Sequence, residues 1–365
     1  MVGTEAGNAA PHEVLARRLI RRRLLHRAAA LGLGVPVGAG LLGLARPTAG
    51  MAQEADCPPG ARATPAPGAS PVPATGKRIG VTVAYLSVPF YANFKTGLED
   101  GAAQFGLEYD LRDGKGDAAT EVANIQDFIA QQVDLILLTP MNQGTIPAIK
   151  QANEAGIPVI EVNNRAGYES GEAEVVTYVG ADDVEFGRLQ GQLFHDTFAG
   201  QPTKVAYVQG ISGTSPQINR AKGWDDELAK HPEYEEVARL NDDFDSAKAL
   251  AVTQDVLSRF PQGQLDAIAM QDPEGVAAAE FARQSGRDEV KFILGDYPAD
   301  VRQAIIDGLV VGTINQDPYP QAYQAMRMAS LYLAGQESEI PKPFYQPLPI
   351  ITAANAEQTP PAWGC

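Results

Sequence analysis

The sequence predicts an α/β protein built as two doubly wound parallel-sheet lobes, and three observations carry that expectation. Short β-branched runs alternate with longer amphipathic stretches from Lys77 onward, and the alternation starts again at Thr203. The chain has 365 residues, 44% hydrophobic and 20% charged, enough for two buried cores.

In the first half Ile79–Leu86 reads as a strand, Tyr91–Phe105 as a helix and Glu108–Leu111 as a strand. Ala119–Gln131 reads as a helix, Leu135–Thr139 as a buried strand and Ile146–Ala155 as a helix. Strands Ile157–Val162 and Val175–Val179 follow. The second half repeats the order: strand Lys204–Gln209, helix Asn219–Lys230, strand Glu236–Leu240 and helix Ala247–Arg259, then strand Leu265–Met270, helix Gly275–Gln284 and strand Lys291–Leu294. The halves share texture as well as order. Asn124-Ile125-Gln126-Asp127-Phe128-Ile129 leads to a strand beginning at Leu135, and Val252-Thr253-Gln254-Asp255-Val256-Leu257 leads to one ending at Met270. Each strand is followed by a polar turn, Met141-Asn142-Gln143 or Gln271-Asp272-Pro273, and then a helix. In such sheets ligands sit outside the carboxyl ends of the strands, so two facing lobes make a cleft there.

The ends of the chain differ in kind. Arg17, Arg18, Arg21, Arg22, Arg23 and Arg27 form a basic block, followed by a Gly-rich apolar run from Ala28 to Leu44 and small residues from Thr48 to Ala52. This order describes a secretory signal over residues 1–52 and an exported protein, in the periplasm or on the outer face of the membrane. The run is short for a membrane span and contains Pro36. Arg21-Arg22-Arg23-Leu24-Leu25-His26 resembles a twin-arginine signal, with Ile20 where a Ser or Thr is usual. Residues 53–76 read as a Pro-rich disordered linker. Glu54-Ala55-Asp56 before Cys57 is not a lipoprotein cleavage box.

Residues 1–52 hold seven arginines and two glutamates, so the remainder is more acidic than the −16 of the whole chain. That field repels nucleic acid and anionic membranes. The two cysteines, Cys57 and Cys365, can oxidise to a bridge outside the cytoplasm, tying the leader to the C-terminus. His195 and His231 read as isolated surface or capping residues, so no metal site is expected. No Gly-x-Gly-x-x-Gly, Walker A or Gly-x-Ser-x-Gly motif is present, and Gly210-Ile211-Ser212-Gly213 only begins like a nucleophile elbow. Neither an enzyme nor a cofactor is expected.

Five segments resemble the periplasmic ribose-binding proteins and their sugar-binding relatives. They are Val83-Ala84-Tyr85-Leu86-Ser87-Val88-Pro89-Phe90-Tyr91, the run from Ala152 to Val159, the run from Gln209 to Ser215, Asp243-Phe244-Asp245, and the run from Gly312 to Pro318. The resemblance spans about Lys77 to Thr352, in order. It implies the type I periplasmic-binding fold, with three strands crossing a hinge near Gly180–Asp183, Gln316–Tyr319 and Phe344–Leu348. The lobes would then be residues 77–181 with 317–345, and 182–316 with 346–359. Lactose-repressor-type regulators share this core but begin with a helix-turn-helix, where this chain has its signal and spacer. The function so implied is capture of a sugar, polyol or similar small polar ligand for an ABC importer by a monomer that closes about its hinge and docks on a membrane permease. A sensory binding protein presenting its ligand to a chemoreceptor or kinase is the alternative.

The resemblance also names residues. Phe90 and Tyr91 match the family's stacking pair, with a hydrophobic staple as the structural alternative. Arg165 matches the main donor, beside Asn164 in place of the usual aspartate. Gln271 and Asp272 end a second-lobe strand, Asp296 matches the acidic ligand with Tyr297 as the adjacent alternative, Gln316 matches the hinge glutamine, and Phe244 the opposite aromatic wall. Asp272 and Asp296 could instead cap helices. Val88 stands where ribose binders place an asparagine and Ile218 where they place an arginine, so two further contacts become apolar. Ribose is therefore not expected, and a bulkier, less hydroxylated or deoxy ligand is. Trp224 reads as core.

Overall fold

The computed structural model describes residues 73–167 and 174–364. The expected signal, most of the linker and both cysteines lie outside the described residues.

The first sheet contains β1 (Arg78–Val83), β2 (Glu108–Asp113), β3 (Leu135–Thr139), β4 (Val159–Val162), β5 (Tyr178–Gly180) and β11 (Phe344–Tyr345). The second contains β6 (Thr203–Gln209), β7 (Tyr234–Asn241), β8 (Ala267–Met270), β9 (Lys291–Gly295), β10 (Gly312–Ile314) and β12 (Ile350–Thr352). Their orders are β11-β5-β4-β3-β1-β2 and β12-β10-β9-β8-β6-β7. Apart from the antiparallel β10–β12 pair, every ladder is parallel. The helices are α1 (Phe90–Phe105), α2 (Ala118–Ala130), α3 (Ile146–Glu154), α4 (Asp183–Phe198), α5 (Ser215–Leu228), α6 (Ser246–Arg259), α7 (Val276–Gln284), α8 (Ala299–Ile306) and α9 (Pro318–Leu333).

The strands are apolar on both faces because both faces are covered. In β3, Leu135 and Leu137 join one core cluster with Phe94 of α1 and Met326 of α9, while Ile136 and Leu138 join another with Phe128 of α2 and Ile149 of α3. β8 behaves alike: Ile268 and Met270 point to one cluster, Ala267 and Ala269 to the other. Side chains at Asp117, Asp182, Thr214, Asp245 and Asp317 accept backbone N–H groups at helix starts, satisfying donors that the first turn leaves open.

Three segments pass between the lobes. One joins β5 to α4, which packs on α5; one joins β10 to α9, which packs on α1; one joins β11 to β12. Several boundaries differ from the sequence expectation. The first strand stops at Val83, since Leu86 N turns to donate to Asp113 Oδ1 at 3.1 Å. The helix expected from Asn219 starts four residues earlier, at Ser215, because Thr214 caps it.

Candidate functional site

A cavity of about 350 Å³ lies between the lobes, near the small end of the ~300–1,000 Å³ typical of ligand sites. Its wall comes from residues that follow strands: Tyr85 and Val88–Tyr91 after β1, the last two opening α1, Asn163 and Asn164 after β4, Phe244 after β7, Asp272 after β8 and Asp296 after β9. Gln316 enters from the β10–α9 crossing, and Arg220 from α5.

Part of the wall is aromatic. Tyr85 meets Tyr91 at 5.7 Å and Phe244 of the other lobe at 5.6 Å between ring centroids, Phe90 meets Tyr91 at 5.2 Å, and all three contacts are edge-to-face, the arrangement ring quadrupoles favour. The backbone is bent to present these groups. Asn163, Asp243, Phe244 and Asp296 all take positive φ, between 57° and 64°, a conformation costly for residues with a Cβ and concentrated where function needs it. Opposite Phe244, a Cβ on Gly210 would lie 2.3 Å from the Phe244 ring and 2.6 Å from Asp272 Oδ2, so only glycine lets both side chains occupy the site.

Another part is charged. Arg220, 2% exposed, donates from Nε to Asp183 Oδ1 at 3.0 Å and from Nη1 to Asp272 Oδ1 at 2.8 Å. It also reaches the Gln271 carbonyl at 2.9 Å and lies 4.0 Å above the Phe186 ring. Burial alone would lower its pKa, yet Asp272, Asp183 and Asp296 together raise it above the usual value. Burial pushes Asp272 up to about 6 against the pull of Arg220. It pushes Asp296 up to about 7, again against Arg220 and with the help of the Asp272 charge. Asp296 thus takes up a proton more readily than a solvated carboxylate, and a carboxyl group accepts from a hydroxyl when ionised and donates to one when protonated. Asn164 Oδ1 and Asp296 Oδ1, both buried, have no hydrogen-bond partner among the described residues. Buried acceptors of that kind call for donors.

Eight of the residues named from sequence, Val88, Phe90, Tyr91, Asn164, Phe244, Asp272, Asp296 and Gln316, come together in the wall. Three do not. Arg165 turns toward the hinge, where Nη2 donates to Tyr345 Oη at 2.9 Å and the guanidinium lies 4.2 Å over the Tyr178 ring. Gln271 is consumed by structure: it accepts from Gly210 N and donates to Tyr207 Oη and the Gln217 carbonyl. Ile218 is half-buried on α5 outside the wall. The capping alternatives fall away, since α7 and α8 begin after Gly275 and Pro298, neither of them an acid. Tyr297 is buried in the second lobe with its hydroxyl on the Ala356 carbonyl at 3.0 Å, leaving Asp296 to face the cavity.

Sequence reasoning missed Arg220, Tyr85 and Trp363. Arg220 had a legible signal: it shares the helical stripe 216, 220, 224 with Pro216 and Trp224, all buried, and a charge on a buried stripe needs partners. Trp224 itself is fully buried, stacked on Tyr207 at 4.6 Å. The expected isolation of His195 and His231 is corrected. Their rings stack at 3.9 Å beside Glu233, with the three donor atoms within 4.8 Å of one another, because α4 and α5 pack side by side and bring their C-terminal ends together.

Two α/β lobes, three crossings and a cleft at the strand ends define the type I periplasmic-binding fold. The chain belongs to the periplasmic binding protein domain family, which it matches over residues 79–337. It is 29% identical to the ribose import binding protein of Escherichia coli (strain K12) over 266 residues, 73% of this chain and 88% of that one. It is 28% identical to the xylitol-binding protein of Mycolicibacterium smegmatis over 282 residues, 77% of this chain and 78% of the relative. The crystal structure of the Caulobacter myo-inositol-binding protein with myo-inositol superposes with a TM-score of 0.70 at 26% identity, covering 79% of this chain and 97% of the other.

Proposed function

We propose that this chain is an exported substrate-binding protein of an ABC importer and captures one sugar or polyol between its lobes. The observation that carries this reading is the cavity, whose wall combines acid and amide groups around Arg220 with edge-packed aromatics. Adjacent hydroxyls need paired planar acceptors and donors, and the C–H face of a sugar needs aromatic rings. The volume suits one small ligand. Relatives named for ribose import and for xylitol binding support the same chemistry and favour import over sensing.

Binding works by closure. A ligand held first by one lobe gains contacts from the other, and this differential affinity shifts the population to the closed form. The closed form is what a membrane permease would read. Val88, an apolar side chain in the wall, favours a ligand with fewer hydroxyls than ribose.

A thermal-shift screen of the purified protein against pentoses, hexoses, deoxysugars and polyols tests the reading, with calorimetry on the hits. A ligand that binds only the folded state raises the melting temperature, by mass action worth about 2.7 kcal/mol at a hundredfold excess over Kd. We expect a hit that Asp296→Ala and Gln316→Ala each weaken about tenfold or more. Silence across the panel, in protein shown to be free of bound sugar, would sink the proposal.

A further inference from the structure

Beyond β12 the chain turns back over the second lobe. The Ala356 and Thr359 carbonyls accept from Tyr297 Oη at 3.0 and 3.2 Å, Ala362 N donates to the Tyr297 carbonyl at 2.8 Å, and Ala299 N donates to the Trp363 carbonyl at 3.0 Å. Residues 298 and 363 thereby form a parallel bridge at the start of α8. The backbone of the C-terminal segment is thus fixed to the second lobe.

It also contacts the first lobe. The Trp363 ring stands edge-on to Phe90, 5.2 Å between centroids and 79° between planes. It is 6% exposed and belongs to the core cluster of the first lobe. Asn93 Nδ2 of α1 donates to the Ala362 carbonyl at 2.7 Å. Trp363 and Gly364 both line the cavity, beside Phe90 and Val88. The segment Ala362–Gly364 therefore holds the second lobe through backbone hydrogen bonds and the first through the Trp363 indole and the Ala362 carbonyl, at the ligand cavity itself.

We propose that Ala362–Gly364 is a strap that completes the ligand site and selects its ligand, a role that rests on the cleft being a sugar or polyol site. Trp363 adds to the apolar lining contributed by Val88 and Phe90, so the preferred ligand turns a C–H-rich edge, a deoxy or methyl position, toward the indole while its hydroxyls meet Asp272, Asp296 and Asn164. Because the strap holds both lobes, its contacts count only when they are together, and losing them favours opening and release.

The chain has two tryptophans, which makes the test direct. In a Trp224→Phe protein, Trp363 is the sole indole reporter, and its emission should shift on saturation with a bound sugar. Calorimetry and stopped-flow release are then run on the wild type, Trp363→Ala and Trp363→Phe with D-fucose against D-galactose, 2-deoxy-D-ribose against D-ribose, and xylitol. We expect Trp363→Ala to weaken every ligand that binds by about tenfold or more, mainly through faster release. Deoxy sugars should lose more than their hydroxylated partners, and Trp363→Phe should retain most of the affinity. Unchanged affinity and unchanged deoxy preference in a Trp363→Ala protein that melts like the wild type would overturn the strap, as would an indole emission indifferent to ligand. A wild type that binds none of these probes overturns the sugar reading first and the strap with it.

Discussion

Arg220 is buried between Asp183 at 3.0 Å and Asp272 at 2.8 Å, and its charge opposes the burial that raises the pKa of both carboxyls. Removing one partner from a buried ion pair costs about 3–5 kcal/mol, because the remaining charge has no solvent to turn to. Arg220→Met should therefore lower stability by roughly that amount in urea unfolding, and abolish binding as well. Arg165→Ala should do neither to the same extent. Its guanidinium is committed to Tyr345 and Tyr178 at the hinge, so a loss of affinity as large as that of Asp296→Ala would show that Arg165 swings into the cleft on binding. A second residue carries a pH signature. Burial, and next the Asp272 charge, push Asp242 up to about 8. An acid raised above its unfolded value of about 3.9 binds more protons in the folded state, so stability is lost as pH rises from about 4 through 8. Asp242→Asn cannot ionise. Relative to wild type its melting temperature should gain nothing at pH 4, rise through pH 6 and level off above pH 8; a constant offset at all three would refute the assignment.

At the scale of elements, the site depends on how closely α4 and α5 approach. A Cβ on Gly187 would fall 1.9 Å from the Arg220 carbonyl oxygen, and one on Gly223 equally near the Val184 carbonyl oxygen. Backbone cannot yield as a flexible side chain can, so Gly223→Ala must push the helices apart and carry Arg220 with them. We expect a loss of about 1–3 kcal/mol or more in unfolding free energy, together with weaker ligand binding although the residue lies outside the wall. The same packing explains what the sequence made legible. Strands such as β3 and β8 are buried on both faces and read as unbroken apolar runs. The α4 stripe is muted by Gly187 and Gly191, where close approach replaces hydrophobic bulk. In α9, residues 321–326 are buried on every side, leaving no amphipathic period to detect. β10, β11 and β12 have two or three residues each, too few for any period. The site residues that sequence placed correctly follow strands at fixed spacing; Trp363 lies in a Pro- and Gly-rich tail with no period at all.

For the whole molecule, the lobes already touch across the cleft. Tyr85 of the first meets Phe244 of the second, and Arg165 N donates to Ser215 Oγ at 2.8 Å. To move a population from one part in a hundred closed to ninety-nine, a ligand must prefer the closed form about 10⁴-fold, or roughly 5.5 kcal/mol. Asp272, Asp296, Phe244 and Arg220 all come from the second lobe. Hydrogen bonds contribute about 1 kcal/mol each, and about 1.5–3 when one partner is charged, so three or four contacts of this kind supply the preference. The balance predicts a graded response. Phe244→Ala removes an inter-lobe contact made without ligand participation, so it should shift the ligand-free protein toward the open form, raising its radius of gyration in small-angle scattering while leaving the saturated protein close to wild type. If instead the radius stays the same in wild type and variant, with and without a bound sugar, the lobes do not move, and capture must be explained by a preformed site rather than by closure.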